Sequence, residues 1–148
     1  MENPRNIKFI VVHCTATPIM ATVEAIKHYW KENRKWGDVP GYHYLIKRDG
    51  EIVSLLDESK ITYGAHGHNA ESVHLSYIGG LDKEGNPSDN RSGSQKEAMF
   101  NLIMELMEKY PLAKALGHRD FPDVHKACPC FDVTQWLKDY TPHLPNVA

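Results

Sequence analysis

Three side chains able to bind a transition metal stand where segments of regular structure should end. His13 closes a short apolar run, His118 follows a second such run, and Cys128 lies ten residues later in a proline-bracketed stretch. Two imidazoles and a thiolate make a zinc site of the catalytic kind, with three protein ligands and a fourth position for water. Zinc held this way lowers the pKa of its water to about 7 and polarises a carbonyl. A histidine at a strand end is also commonly a hydrogen-bonded packing residue, so spacing alone leaves both readings open. Cys128-Pro129-Cys130 further invites a reading as half of a structural zinc knuckle. Against that, the usual two-residue spacer is missing and no second close Cys/His pair completes four ligands.

These residues need elements to position them. Ile7 to Val12 is nearly continuous in apolar and β-branched residues and reads as a buried central strand delivering His13 at its end. Thr22 is placed to cap a helix with Val23, Ile26, Tyr29, Trp30 and Asn33 on one face, ended by the loop from Gly37 to Gly41. Tyr42 to Lys47 and Glu51 to Leu56 flank Arg48-Asp49-Gly50 and read as a hairpin. A Gly/His-rich loop over Ile61 to Asn69 precedes a strand near Val73 to Ile78, and Gly79 to Gly93 is a polar excursion. Ser94-Gln95-Lys96-Glu97 has the form of a capping box opening a helix with Ala98, Met99, Leu102, Ile103, Leu106 and Met107 on one face. A short strand near Ala113 to Leu116 leads to Gly117-His118-Arg119-Asp120, and Asp132 and Gln135 mark a last short helix with Trp136 and Leu137. Strands interleaved with helices predict an α/β fold: a single domain over residues 1–148, with a central mixed β-sheet flanked by helices.

Composition narrows the class. The 148 residues are 41% hydrophobic and 24% charged, as in an ordinary globular protein, with a formal net charge of −2. That balance excludes the basic bias of a dedicated nucleic-acid binder, and leaves any anionic partner to be gripped by a shaped site. No stretch approaches the ~20 apolar residues of a membrane span. The run from Met1 to Val12 lacks the form of a signal peptide, so synthesis in the cytoplasm is expected. Three cysteines without an export signal are a poor basis for a disulfide framework.

Five motifs then make a specific resemblance. Val12-His13-Cys14-Thr15-Ala16-Thr17, Gly41-Tyr42-His43-Tyr44, Gly64-Ala65-His66, Gly117-His118-Arg119-Asp120-Phe121 and Lys126-Ala127-Cys128-Pro129 occur in this order. Together they resemble the type-2 N-acetylmuramoyl-L-alanine amidases, a family that includes small phage amidases and the peptidoglycan recognition proteins. The similarity runs from about Ile7 to Trp136. It implies zinc as cofactor, with His13, His118 and Cys128 as ligands. It places Tyr42 beside the metal and Lys126 two residues before the Cys ligand, both in support of catalysis, and His66 near the substrate groove. Cys130 is the competing thiol, and the resemblance favours Cys128.

The implied reaction is hydrolysis of the amide between N-acetylmuramic acid and L-alanine, with peptidoglycan or muropeptides as substrate; the sequence leaves the oligomeric state open, and a monomer is the default expectation. Chemistry agrees: a lysine cation and a tyrosine hydroxyl suit a developing oxyanion. Lack of a signal peptide fits a phage or prophage endolysin that reaches the cell wall by another route. Two other readings stand beside it. A binding module on the same fold typically lacks the cysteine ligand, and a cytoplasmic recycling amidase has aspartate as third ligand; Cys128 speaks against both.

The remaining polar residues carry supporting expectations. His43 alternates with Tyr42 and should face away from it in a structural or supporting role, and Cys14 should point away from the site. Arg119 and Asp120 should hold the loop of His118 by local hydrogen bonds. His74 stands where the family commonly has glycine, and neither it, His68 nor the loop from Leu81 to Gly93 receives a role.

Overall fold

The structure, a computed structural model, describes residues 4–140. The outer residues of the expected 1–148 domain therefore lie outside the described residues. Five strands form one sheet: β1 (Phe9–Cys14), β2 (Tyr44–Ile46), β3 (Ile52–Ser54), β4 (Ser72–Tyr77) and β5 (Lys114–Gly117), in the order β3-β2-β4-β1-β5. β1 runs parallel to both β4 and β5, β4 is parallel to β2, and β2 and β3 are an antiparallel hairpin. The sheet is thus mixed, as the sequence predicts. The hairpin turns at Gly50, whose φ of 90° suits a residue without Cβ.

Strand alternation divides the core. Ile10, Val12 and Cys14 of β1, with Val73, Leu75 and Tyr77 of β4, pack against Met99, Leu102, Ile103 and Leu106 of a long helix, Gly93–Lys109. In chain order this is α2, following α1 (Val23–His28) and preceding α3 (Val133–Asp139). The short α3 joins the same layer through Val133, with Trp136 and Leu137 beside it. The residues between them, Val11 and His13 on β1 and His74 and Ser76 on β4, belong to the opposite face by the two-residue period. Val11 packs there with Ala65, Leu116 and Phe121. β1 is buried on both faces, which is why its sequence is apolar without alternation.

Several boundaries differ from the sequence reading. The capping box is Ser92 with Gln95, two residues before the Ser94 motif. The Ser92 hydroxyl accepts the Gln95 N–H and donates to Arg48 C=O, while the Gln95 side chain accepts the Ser92 N–H. Gln95 is fully buried because its amide also donates to the Ile46 and Ile78 carbonyls at the ends of β2 and β4. Tertiary hydrogen bonds decided between two equally good local motifs. The predicted face of the first helix is also narrower. α1 passes into a π-helical turn, Tyr29–Asn33, so that Ile26 and Trp30 are buried while Tyr29 and Asn33 are exposed. Met107 likewise lies at the exposed edge of α2. Both hairpin strands are shorter than read, and Tyr42 sits just before β2 rather than in it.

The polar excursion proves to be anchored. Asn90 accepts the Gly80 N–H and donates to Leu81 C=O. Arg91 is paired with Asp89 at 2.8 Å, and its guanidinium lies 3.4 Å from the Phe131 ring centre and 4.5 Å from that of Trp136. The loop is a clasp between β4 and α3.

Candidate metal centre and cleft

His13 and His118 converge because both belong to the face of the sheet opposite α2. His13 is the fifth residue of β1, and His118 begins the 3-10 turn (His118–Asp120) directly after β5. Val12 pairs with Gly117, so the two histidines leave adjacent strands at the same level, with ring centroids 4.7 Å apart. Asp120 holds the turn by accepting the Gly117 N–H at 2.8 Å, and the Arg119 N–H donates to Cys128 C=O at 3.0 Å. The carboxylate thus does what the sequence predicts for it, while Arg119 contributes through its backbone.

Cys128 arrives from the loop before α3. Its Sγ accepts the Cys14 N–H at 3.2 Å and lies 3.8 Å from His13 Nδ1. Cys14 itself points to the α2 side, 3.8 Å from Cys130 Sγ. Of the two thiols in Cys128-Pro129-Cys130, the first reaches the histidines and the second reaches Cys14. Among the described residues, His13, His118 and Cys128 offer ligand atoms that all lie within 4.8 Å of one another.

One pair of the donor set has close to the spacing that zinc requires. Bond lengths of ~2.1 Å to nitrogen and ~2.3 Å to sulfur put tetrahedral ligand atoms roughly 3.5 Å apart. The 3.8 Å between His13 Nδ1 and Cys128 Sγ is close to that value. Imidazole nitrogen must be unprotonated to bind a metal. Burial first, then neighbouring histidines and the Lys126 charge, hold the His13 pKa far below its ordinary value. His118 is pushed down to about 4, by burial and then by Lys126. Both rings are therefore neutral at pH 7.

The other predicted residues gather around this cluster. The Tyr42 ring lies 4.8 Å from that of His13, edge-on to Trp30 at 5.3 Å, and its hydroxyl donates to Cys14 C=O at 3.2 Å. Burial, then Cys128 and Cys14, raises its pKa, so the phenol keeps its proton. Lys126 is exposed and, with His66, lines a cavity of about 930 Å³ that also contains His13, His118 and Cys128. Arg34, Trp36 and Tyr63, which also line this cleft, were not singled out from sequence. There Arg34 lies 4.7 Å over the Trp36 ring, which meets Tyr63 edge-on at 5.5 Å. His43 is fully buried; it accepts the His74 backbone N–H and bonds Lys60 C=O.

His74 is the residue that sequence reasoning left without a role, and its Nδ1 lies 2.8 Å from His13 Nε2. The signal was available. His74 and Ser76 alternate with Val73, Leu75 and Tyr77, so they mark a polar stripe on the His13 face of the sheet.

The match to known proteins spans this arrangement. Residues 3–131 fit the family model described as N-acetylmuramoyl-L-alanine amidase. The chain belongs to the type-2 N-acetylmuramoyl-L-alanine amidase family. An endolysin of Enterobacteria phage K11 is 36% identical over 128 residues, covering 86% of this chain and 83% of that protein. The endolysin of Escherichia phage T7 is 34% identical over the same share of each. Among solved structures, the endolysin amidase LysCS of Clostridium intestinale superposes with a TM-score of 0.76 at 25% identity, covering 93% of this chain and 84% of that one. A Drosophila peptidoglycan recognition protein, at 20% identity and a TM-score of 0.70, shares the fold and covers 98% of this chain and 86% of its own. The chain is accordingly an amidase of phage type. No helix among its described residues is long and apolar enough to cross a membrane.

Proposed function

We propose that this amidase is a zinc hydrolase of the cell-wall amide between N-acetylmuramic acid and L-alanine, acting as a monomeric endolysin. The observation that carries the reading is the convergence of two neutral imidazoles and a cysteine sulfur inside an open cleft. His13, His118 and Cys128 are the ligands in this reading. Zinc, when bound, supplies a Lewis acid that activates water and polarises the scissile carbonyl.

The surrounding side chains then have distinct tasks. Tyr42 keeps its phenolic proton, which suits it to donate a hydrogen bond to charge developing on the substrate oxygen. Lys126 provides an exposed cation at the same end of the cleft, near enough for its field to depress both histidines. His66, exposed on the rim, contacts the glycan or stem peptide. Trp36 and Tyr63 offer apolar surface for the same polymer, the kind of wall that supplies contact area in a ligand cleft. The endolysin relatives support work in the cell wall after synthesis in the cytoplasm.

Digestion of purified peptidoglycan tests the reading. New free amines without new reducing ends, abolished by a chelator, restored by zinc and carrying alanine at the new N-terminus, are expected. Reducing ends, or release that is indifferent to chelation, overturns it.

A further inference from the structure

The hydrogen-bond chain behind His13 begins at a backbone donor, and that fixes every proton along it. The Ala65 N–H donates to Asn69 Oδ1 at 2.8 Å, so the atom in that position is the amide oxygen and not the nitrogen. The same oxygen lies 2.9 Å from His74 Nε2, which must therefore carry a proton. His74 is fully buried, where a second ring proton would be an interior charge, so its Nδ1 has a lone pair. Nδ1 lies 2.8 Å from His13 Nε2, which must then be the donor. His13 is left with its proton on Nε2 and its lone pair on Nδ1, the atom that faces Cys128 Sγ. The reverse order would set two lone pairs against each other at one link of the chain, or two N–H groups at another.

We propose that His74 and Asn69 are positioning residues that lock His13 in the tautomer whose Nδ1 is open to the metal. The proposal rests on the zinc reading above. It is the arrangement expected of a metal-ligating histidine, whose other nitrogen is held by a partner that sets tautomer and ring angle. Here the partner is a second imidazole, itself set by an amide. Gly64 is part of the same device. A Cβ there would stand 2.6 Å from His74 Nδ1 and 2.9 Å from Gly41 C=O, so the relay ring occupies space that only glycine leaves. On the other side His43 accepts the His74 N–H at 3.0 Å and lies parallel to its ring.

The experiment uses the full chain, with and without zinc. Nitrogen-15 NMR of the metal-free protein reads the His13 tautomer directly, and a proton on Nε2 is expected. Competition with a chromophoric chelator then reads zinc affinity. His74→Leu is expected to weaken zinc binding about 10–100-fold. His74→Gln, whose amide oxygen can still accept from His13, is expected to recover most of that loss, and Asn69→Ala to lose part of it. A His13 proton on Nδ1 in the wild type overturns the proposal, as does a folded His74→Leu protein with unchanged affinity. Should His74→Leu fail to fold, the wild-type tautomer and the Asn69→Ala affinity decide the matter. A wild-type chain that binds no zinc sinks the zinc reading instead, while the tautomer spectrum still decides the relay.

Discussion

The two histidines on either side of His74 are both buried and both neutral, yet their surroundings give them different roles. His43 uses both ring nitrogens inside the protein, accepting the His74 N–H with Nδ1 and meeting Lys60 C=O at 2.8 Å with Nε2. His13 uses only Nε2 inward and leaves Nδ1 on the cleft, within reach of Cys128 and His118. Burial and ring chemistry do not separate them. What differs is what faces the second nitrogen, a backbone carbonyl for His43 and the cleft-side sulfur of Cys128 for His13. A histidine becomes a candidate ligand when its environment satisfies one nitrogen and presents the other.

Removing a donor from the cleft side should have the largest effect. Cys128→Ser takes away the soft ligand while Cys130 remains engaged with Cys14 on the far face. Zinc stoichiometry after dialysis should fall well below one and activity should vanish; retained stoichiometry would pass the ligand role to another group. Tyr42→Phe comes next. It should keep its zinc and lower turnover about 10²-fold, the usual scale for one lost donor to developing charge. Unchanged turnover would take the hydroxyl out of the reaction.

On the inward side the effects should move from metal to stability. His43→Leu leaves the His74 N–H and Lys60 C=O without a partner, at about 1–3 kcal/mol for each buried group. Denaturant unfolding should register that loss, with zinc affinity changing far less than in His74→Leu. Equal losses of affinity would erase the distinction between the two regions.

The smallest effect concerns pH. Burial holds His43 down to about 4 from an ordinary 6.5. The unfolded chain therefore binds more protons between those values, so this contribution to stability is complete above about pH 6.5 and is lost as pH falls toward 4. Melting temperatures of the metal-free protein should decline across that window, and less steeply in His43→Gln. Identical slopes would mean that His43 does not titrate as its burial implies.

Much of this protein is set by local sequence. The apolar run before His13, the Arg48-Asp49-Gly50 turn and the Asp132 cap specify elements through side-chain period and backbone chemistry, and these need no distant partner. The five motifs likewise mark the family, because the types and order of reactive residues are written directly in the chain. Tertiary structure decided the rest wherever a choice depended on contacts between segments far apart. Ser92 rather than Ser94 caps α2 because Gln95 can reach carbonyls at the ends of two strands. Cys128 rather than Cys130 meets the histidines because the loop turns the first thiol toward His13 and the second toward Cys14. His74 gained a place beside His13 because a parallel pairing between β1 and β4 joined residues 61 positions apart. Such pairings are invisible to a local window, since the strand period gives the face a residue belongs to and only the register gives its neighbour.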